Sequence, residues 1–495
     1  MTRRRPHFER HNRIAIIGAG PAGIHMASLL KRRGYSNVTV FERTRRIGGK
    51  SRTLIKDGIP HELGTCFLSN TYRRVKELVS EYGLRADIPA VGRAIYLDAN
   101  PPDHEPLELA AFVRKMVRDG GRHRDPGGRD LSASLVGMRL LQAIWRYCRL
   151  YRAMFGAFTL PYAMPLSLPS RVLARIDMSF LEFLRRNRLD ALTGVVRIAQ
   201  SAQGYGYLET IPAYYGLCWM TPAFLAGLMR PAIGMSTTTT MLPDGYEALW
   251  RTIAEKDGLS INLDTRIHAL DRQGADGRVR IDYALNGERQ RETYDFLILA
   301  FDLRRAATLL RDLTETEQRL FGALEAFTLT ATLYEFDPAV GFRTHDDRAI
   351  AYFPDALAPG QDHTWYADRN DRQIFAETNG VMRTFECQRR VAYQFSERET
   401  SADEPCEEAY GRNATIAAKL RVDWAKRGIG RPRILEQCSW PYFAHFPAWA
   451  LRQGYPNELF ASQGSHHTWY AGASACFESV NHVVNYNHAL VDNYL

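Results

Sequence analysis

Apolar positions in the 495-residue chain follow two rhythms, short unbroken runs and helical spacings. Ile14, Ala15, Ile16 and Ile17 form an unbroken run, as expected of a strand covered on both faces of a parallel sheet. A glycine-rich turn leads into a helix that Gly34 stops, and Val38 to Phe41 make the next strand. Residues 61–83 read as a strand, a turn and an amphipathic helix with Val75, Leu78 and Val79 inward. From about 107 to 230 the spacing is helical, as in LVGMRLLQAIWRYCRLYRAMF and MSFLEFLRR. TTTTMLPDGYEALWRTIAEK then predicts a β-prone run, a turn and a helix, and SINLDTRIHALDR and YDFLILAFD predict short strands of a returning sheet. TATLYEFDP, AIAYFPD and RVAYQFS are strand-like and precede a helix around EAYGRNATIAAKLRVDWAKRG. Residues 431–495 close the chain with a strand, a loop and a helix.

Chemistry enters at the first turn. Gly18, Gly20 and Gly23 give a GxGxxG spacing between strand and helix. The first glycine permits the tight turn, the second lets a pyrophosphate approach the backbone, and the third lets helix and strand pack closely. The helix start offers unpaired N–H groups and a positive dipole end to phosphates. Glu42 ends the second strand at about the twenty-residue spacing at which a carboxylate takes ribose hydroxyls. Strand, turn, helix and acid in that order predict a dinucleotide site.

Composition narrows the class without naming it. Apolar content of 45% and charged content of 24% are those of an ordinary globular protein. Seven cysteines lie scattered with no CxxC pair and no metal-like spacing, so neither a disulfide framework nor a metal site is expected. The basic start MTRRRPHFERHN lacks an apolar signal stretch, and a cytoplasmic protein is expected. The net charge of +9 comes largely from arginine-rich stretches such as RKMVRDGGRHRDPGGRD. No aromatic-interleaved basic motif accompanies them, which argues against nucleic acid and leaves a solvated loop, anionic lipid or a carboxylate substrate. Residues 211–229 carry no charge, but Pro212 and Pro222 argue against a spanning helix. A buried or lipid-surface hairpin of short helices is expected there, and peripheral membrane contact stays open.

Arg46, Gly48, Gly49 and Thr53 complete an RxGGxxxT element just past Glu42. In this register the chain resembles the flavin-containing amine oxidase superfamily. The resemblance implies FAD, because a dinucleotide carrying an isoalloxazine extends past the first loop and needs a second stretch of bare backbone. It places Gly18, Gly20, Pro21, Ala22, Gly23, Glu42, Arg43, Gly48, Gly49 and Lys50 with the cofactor, and Ile267 on a strand passing the adenine. HTWYAGASACFESVNHVVNYNHALVDNYL, residues 467–495, resembles the closing strand, turn and last helix, adding Gly472, Ala473, Val480 and Asn481. Ala473 stands where the superfamily has glutamate, which puts the usual ribitol contact in doubt. The implied fold is α/β: a discontinuous Rossmann-like FAD-binding domain with a helical insertion and a second α+β substrate domain. The expected spans are 1–106 (with a basic arm at 1–12), 107–230 for the helical cap, 231–302, 303–430 for the substrate domain, and 431–495.

A narrower resemblance rests on GGK, QGYGYLETIPAYYGL at 203–217 and SWPYFAHFPAWALRQGYPNEL at 439–459. These resemble polyenoic fatty acid double-bond isomerases of the linoleate type. The implied reaction moves a hydride from a bis-allylic carbon to the flavin and back to another carbon, needing a flavin face, an apolar tunnel and a carboxylate anchor, and no catalytic side chain. Tyr207, Tyr214, Tyr215, Trp219 and Phe224 are the candidate tunnel wall, whose rings can stabilise an allylic cation. Arg93, in IPAVGRAIYLD, is the candidate anchor, since a guanidinium pairs with both carboxylate oxygens. An oxidase or desaturase of an apolar lipid, isoprenoid or amine using oxygen is the alternative.

Overall fold

The structure is a computed structural model that describes residues 9–86, 88–89, 95–98, 107–108, 133–156, 168–201, 203–230, 235, 239–272, 277–335, 350–353, 366–370, 375–378, 381–384, 389–396, 414–426 and 432–494. Its first layer is a five-stranded parallel sheet built from β1 (Ile14–Ile17), β2 (Val38–Phe41), β3 (Ser260–Asn262), β4 (Phe296–Leu299) and β5 (Thr468–Tyr470). Their order across the sheet is β3, β2, β1, β4, β5. β1 and β4 are buried along their whole length, which is why both read as unbroken apolar runs. Helix α1 (Pro21–Arg32) links β1 to β2, starting with proline where no intrahelical N–H bond is lost. Gly23 is required by packing, because a Cβ there would lie 1.8 Å from the Gly18 carbonyl oxygen.

The second layer is a seven-stranded sheet ordered 433–445, 325–335, 389–396, 366–370, 350–353, 95–98 and 107–108. The span 303–430 alone does not build it, since 95–98, 107–108 and 433–445 also join. Thr265–Asp271, expected in the returning sheet, instead opens a three-stranded antiparallel sheet with Val279–Leu285 and Glu288–Tyr294. Only β3 and β4 of that predicted set enter the parallel sheet. Alternation reveals a strand, but its partner is fixed by nonlocal pairing.

A helical layer covers one side. It contains α2 (Ala133–Phe155), α3 (Ala213–Trp219) and α4 (Pro222–Met229). The uncharged 211–229 segment is therefore two short helices, broken at Met220–Thr221. The Thr221 hydroxyl accepts from Phe224 N–H at 3.2 Å and Pro222 opens the new helix, so local capping explains the break. Tyr147 and Tyr151, on the buried face of α2, donate to the carbonyls of Met220 and Leu217, anchoring α2 over that break. Among the described residues no helix is long and apolar enough to cross a membrane. The last helix, α5 (Val480–Tyr494), packs on α1.

Candidate active site

Two glycine loops meet at the carboxyl ends of the parallel strands, the edge where open α/β sheets bind ligands. Gly48 N–H donates to the Ala19 carbonyl at 2.9 Å. A Cβ at Gly49 would stand 2.9 Å from the Gly20 Cα, so the two bare stretches touch and no side chain fits between them. The Glu42 carboxylate pins the same corner: one oxygen accepts from Ala19 N–H at 2.8 Å, the other from the Thr44 N–H and hydroxyl, each at 2.9 Å. An ionised carboxylate has lone pairs to spare beyond these for ribose hydroxyls. The Glu42 carbonyl also accepts from Thr265 N–H at 2.9 Å, which brings the strand bearing Ile267 alongside.

The C-terminal turn closes this corner. Ala471 N–H donates to the Leu299 carbonyl at 2.8 Å, and a Cβ on Gly472 would lie 3.5 Å from the Ala22 side chain. Asn487 on α5 donates to the Ala22 carbonyl at 2.8 Å, tying α5 to the start of α1. The N-terminus of α1 carries no side-chain cap at Gly20 and no acid in its first turn, leaving backbone N–H groups free for phosphate. Touching glycine loops, an uncapped helix start, a carboxylate at the ribose spacing and the small residues 471–473 fit an extended dinucleotide. Arg43 is exposed at the rim.

Next to the turn lies an aromatic wall drawn from three distant segments. Tyr205 stands 4.9 Å from Trp219, 4.9 Å from Phe477 and 5.3 Å from Phe443, and stacks on Tyr442 at 5.9 Å. Trp219 lies parallel to Phe477 at 6.0 Å, donates its indole N–H to the Ala199 carbonyl at 3.0 Å and meets Phe224 at 4.5 Å. The Tyr215 hydroxyl accepts from Phe446 N–H at 2.7 Å and its ring meets Phe443 at 5.4 Å. The QGYGY turn has glycine where these rings press in: a Cβ on Gly204 would reach 3.0 Å from Tyr442, and one on Gly206 3.0 Å from Phe327.

One buried ion pair crosses this wall. Lys50 Nζ donates to both oxygens of Glu478 at 2.8 and 2.9 Å and lies 5.3 Å above the Tyr442 ring. Glu478 Oε2 also accepts from Phe443 N–H at 2.9 Å, holding a non-glycine residue at φ 56°, where side chains are disfavoured. Asp302, at the end of β4, pairs with Arg304; burial pushes its pKa up, but the Arg304 hydrogen bonds and charge outweigh that and hold it low. Burial pushes the His445 and His482 imidazoles down to about 4 each, so both are neutral at pH 7. Among the described residues no His, Cys, Asp and Glu cluster could hold a metal ion.

Of the expected site residues, the structure brings together Gly18, Gly20, Pro21, Ala22, Gly23, Glu42, Gly48 and Gly49 with Gly472, while Ala473 follows in the same turn and Val480 and Asn481 open the last helix. Tyr215, Trp219 and Phe224 share the aromatic wall with Tyr214, which stacks edge-on to Tyr215 at 5.0 Å. Tyr207 points elsewhere, onto Phe395 of the second sheet at 5.4 Å. Arg93 lies outside the described residues. Reading the residues alone missed Tyr205, Tyr442, Phe443, Phe477 and Glu478. For Tyr205, Tyr442 and Phe443 the signal was the clustering of aromatic residues in QGYGY, with its two glycines, and in SWPYFAHFP, whereas Phe477 and Glu478 lie in neither stretch.

A family model described as flavin containing amine oxidoreductase matches residues 21–375. The chain is 22% identical over 507 residues to a polyenoic fatty acid isomerase of Ptilota filicina, covering 97% of this chain and 94% of that protein. It superposes on the crystal structure of a CLA-producing fatty acid isomerase from P. acnes with a TM-score of 0.75, at 19% identity and covering 99% and 100% of the two chains. A cyclohexylamine oxidase from Brevibacterium oxydans gives a TM-score of 0.61 at 13% identity, covering 97% and 98%.

Proposed function

The chain belongs to the flavin containing amine oxidoreductase family and is an FAD-dependent enzyme, and from that premise we propose that it moves a double bond within a polyunsaturated fatty acid or related lipid acid. The observation that carries this reading is the character of the wall beside the cofactor corner: five aromatic side chains and one internally neutralised ion pair, Lys50–Glu478. An amine substrate arrives as an ammonium, which an uncompensated carboxylate would attract, although ring faces also hold a cation. Among the described residues, two acids of this region, Glu478 and Asp302, are each already held by a cation. The likeness to a polyenoic fatty acid isomerase along nearly the whole chain supports the same reading.

FAD, when bound, would supply two-electron hydride exchange with the lipid. The protein's part is to hold and shield. Gly20, Gly49 and the α1 start would hold the pyrophosphate, Glu42 the ribose, and residues 472–481 the far end of the dinucleotide. Tyr205, Tyr215, Trp219, Phe443 and Phe477 exclude water and offer ring faces to the delocalised cation left by hydride loss. No side chain has to take a proton, which suits the neutral, buried His445 and His482. Arg93 remains our candidate for the substrate carboxylate.

The test is turnover without oxygen. The oxidised holoenzyme is expected to convert many equivalents of a polyunsaturated fatty acid into a conjugated isomer, with deuterium from the bis-allylic carbon reappearing elsewhere in the product. Lasting bleaching by one equivalent, with a product two hydrogens short and peroxide release on admitting air, would overturn the isomerase reading in favour of an oxidase or desaturase.

A further inference from the structure

The outer face of α2 exposes large apolar side chains where a helix facing water is ordinarily polar. Met138, Leu141 and Trp145 follow one another at helical spacing and are 51%, 69% and 61% exposed. Single exposed apolar residues are unremarkable, but three along one stripe of a helix are not. On the helix itself the charges have one sign, while Glu182, paired with Arg186, and Asp190 lie on neighbouring elements. The 23 residues of α2 include Arg139, Arg146, Arg149 and Arg152 and no acid. The Arg149 guanidinium lies 4.6 Å above the Trp145 ring. Arg146 donates to the Arg188 carbonyl at 3.2 Å, which brings the exposed arginines of the 185–188 turn to the same edge.

We propose that the Met138–Leu141–Trp145 face of α2 docks the enzyme on an anionic lipid surface, lying in the plane of the interface rather than crossing it. An apolar stripe with tryptophan, flanked by arginine, is the composition that seats a helix at the headgroup level. Arginine charge then adds attraction to anionic headgroups, whereas a protein partner would need a complementary acidic face. The inner face of α2 explains why docking belongs here. Tyr147 and Tyr151 hold the break between α3 and α4, and those two helices carry Trp219 and Phe224 of the aromatic wall. The docked helix is therefore the outer cover of the wall assigned to the lipid chain, so a substrate leaving a bilayer has a short path inward.

The experiment is vesicle co-sedimentation of the full-length holoenzyme, with the variant Leu141→Glu/Trp145→Glu beside it. Wild type is expected to bind phosphatidylcholine vesicles containing about 30% phosphatidylglycerol and to bind pure phosphatidylcholine at least about tenfold more weakly. Binding should fall as salt rises from about 0.05 M to about 0.5 M. The double variant should lose binding at least about tenfold while keeping its flavin content and its turnover of detergent-dispersed substrate. No binding to anionic vesicles, equal binding to both vesicle types, or unchanged binding by the double variant would each overturn the proposal. A stable dimer that the same substitutions dissociate, with no vesicle binding, would assign the face to a second copy instead. Docking is read without turnover, so its failure is distinct from failure of the isomerase reading.

Discussion

Two buried ion clusters sit on opposite sides of the parallel sheet's function. At one, Arg272 is wholly enclosed and saturated: its guanidinium bonds Asp312 at 3.1 Å and Glu317 at 2.8 Å. Glu317 accepts further from the Thr314 N–H and hydroxyl, each at 2.9 Å, and from the Tyr470 hydroxyl. This cluster staples the 265–271 strand to the helix that starts at Glu315 and to β5, and every polar group is used within it. At the other, Lys50 and Glu478 share two bonds, the lysine is 34% exposed against 8% for the glutamate, and an aromatic ring forms one side. The contrast separates structure from chemistry: a saturated cluster can only hold the fold, whereas a pair left partly open beside the cofactor corner can also meet a ligand.

Breaking the saturated cluster should have the largest effect. Arg272→Leu strands two buried carboxylates, and removing one partner of such a pair costs about 3–5 kcal/mol. Chemical unfolding should show that loss, while the flavin-to-protein ratio of the remaining folded enzyme stays unchanged. A loss under about 1 kcal/mol would mean that water reaches the cluster and the comparison is wrong.

The open pair should respond in the reverse way. Glu478→Gln keeps the shape and the Phe443 N–H bond but removes the charge facing Lys50. Stability should drop by only about 1–2 kcal/mol. Turnover should drop at least about tenfold, the equivalent of about 1.4 kcal/mol in the barrier. Lys50→Met, which strands the buried Glu478 carboxylate and so costs more stability, should lower turnover likewise, with a changed flavin absorbance spectrum as a readout that a merely structural role would not produce. If either variant lost stability as Arg272→Leu does while keeping its turnover, Lys50 and Glu478 would be structural too.

The two regions also differ in how much the sequence disclosed. Around Gly18–Glu42 the signals are local: an apolar run, three glycines and an acid lie within one strand–helix–strand unit, and the observed bounds of β1 and β2 coincide with the expected ones. The return of residues 471–481 to that unit is also expected, from the resemblance of residues 467–495 to the superfamily's closing strand, turn and last helix. What stayed hidden depends on pairing at long range. Thr265–Asp271 reads as a strand, but nothing in it says that Val279–Leu285 is its partner rather than the parallel sheet. The aromatic wall is harder still. Tyr205, Tyr442 and Phe477 each look like ordinary core residues, and Tyr207, named with Trp219 for the wall, faces the other sheet. Lys50 was assigned to the cofactor from its motif, but its partner Glu478 is 428 positions away and no spacing rule links them.

The smallest and most graded effect is on the acid side, where the two regions should titrate in different windows. Burial depresses His445 and His482 to about 4, below the ordinary imidazole value, and the protonated forms are disfavoured in the fold. The unfolded chain therefore binds these protons first. Stability from keeping the rings neutral is full above about pH 6.5 and is lost as pH falls toward 4. Buried His25 and His488 are depressed in the same direction and add to this limb. For Glu317, burial works upward but the Arg272 bonds and charge dominate, leaving it at about 2. Its contribution is present above about pH 4.5 and is lost only as pH falls below that, toward 2. Melting curves between pH 8 and 3 should thus show two limbs, each with a slope of at most about 1.4 kcal/mol per pH unit for each proton taken up. His445→Gln/His482→Gln should flatten the upper limb by about two protons and leave the lower one in place, while Glu317→Gln should flatten only the lower, by about one proton, leaving the part that Asp302 and the other depressed carboxylates supply. An upper limb that keeps its slope in the double histidine variant would show that the rings beside the aromatic wall are not buried as neutral groups, and the contrast between the two regions would have to rest on the ion pairs alone.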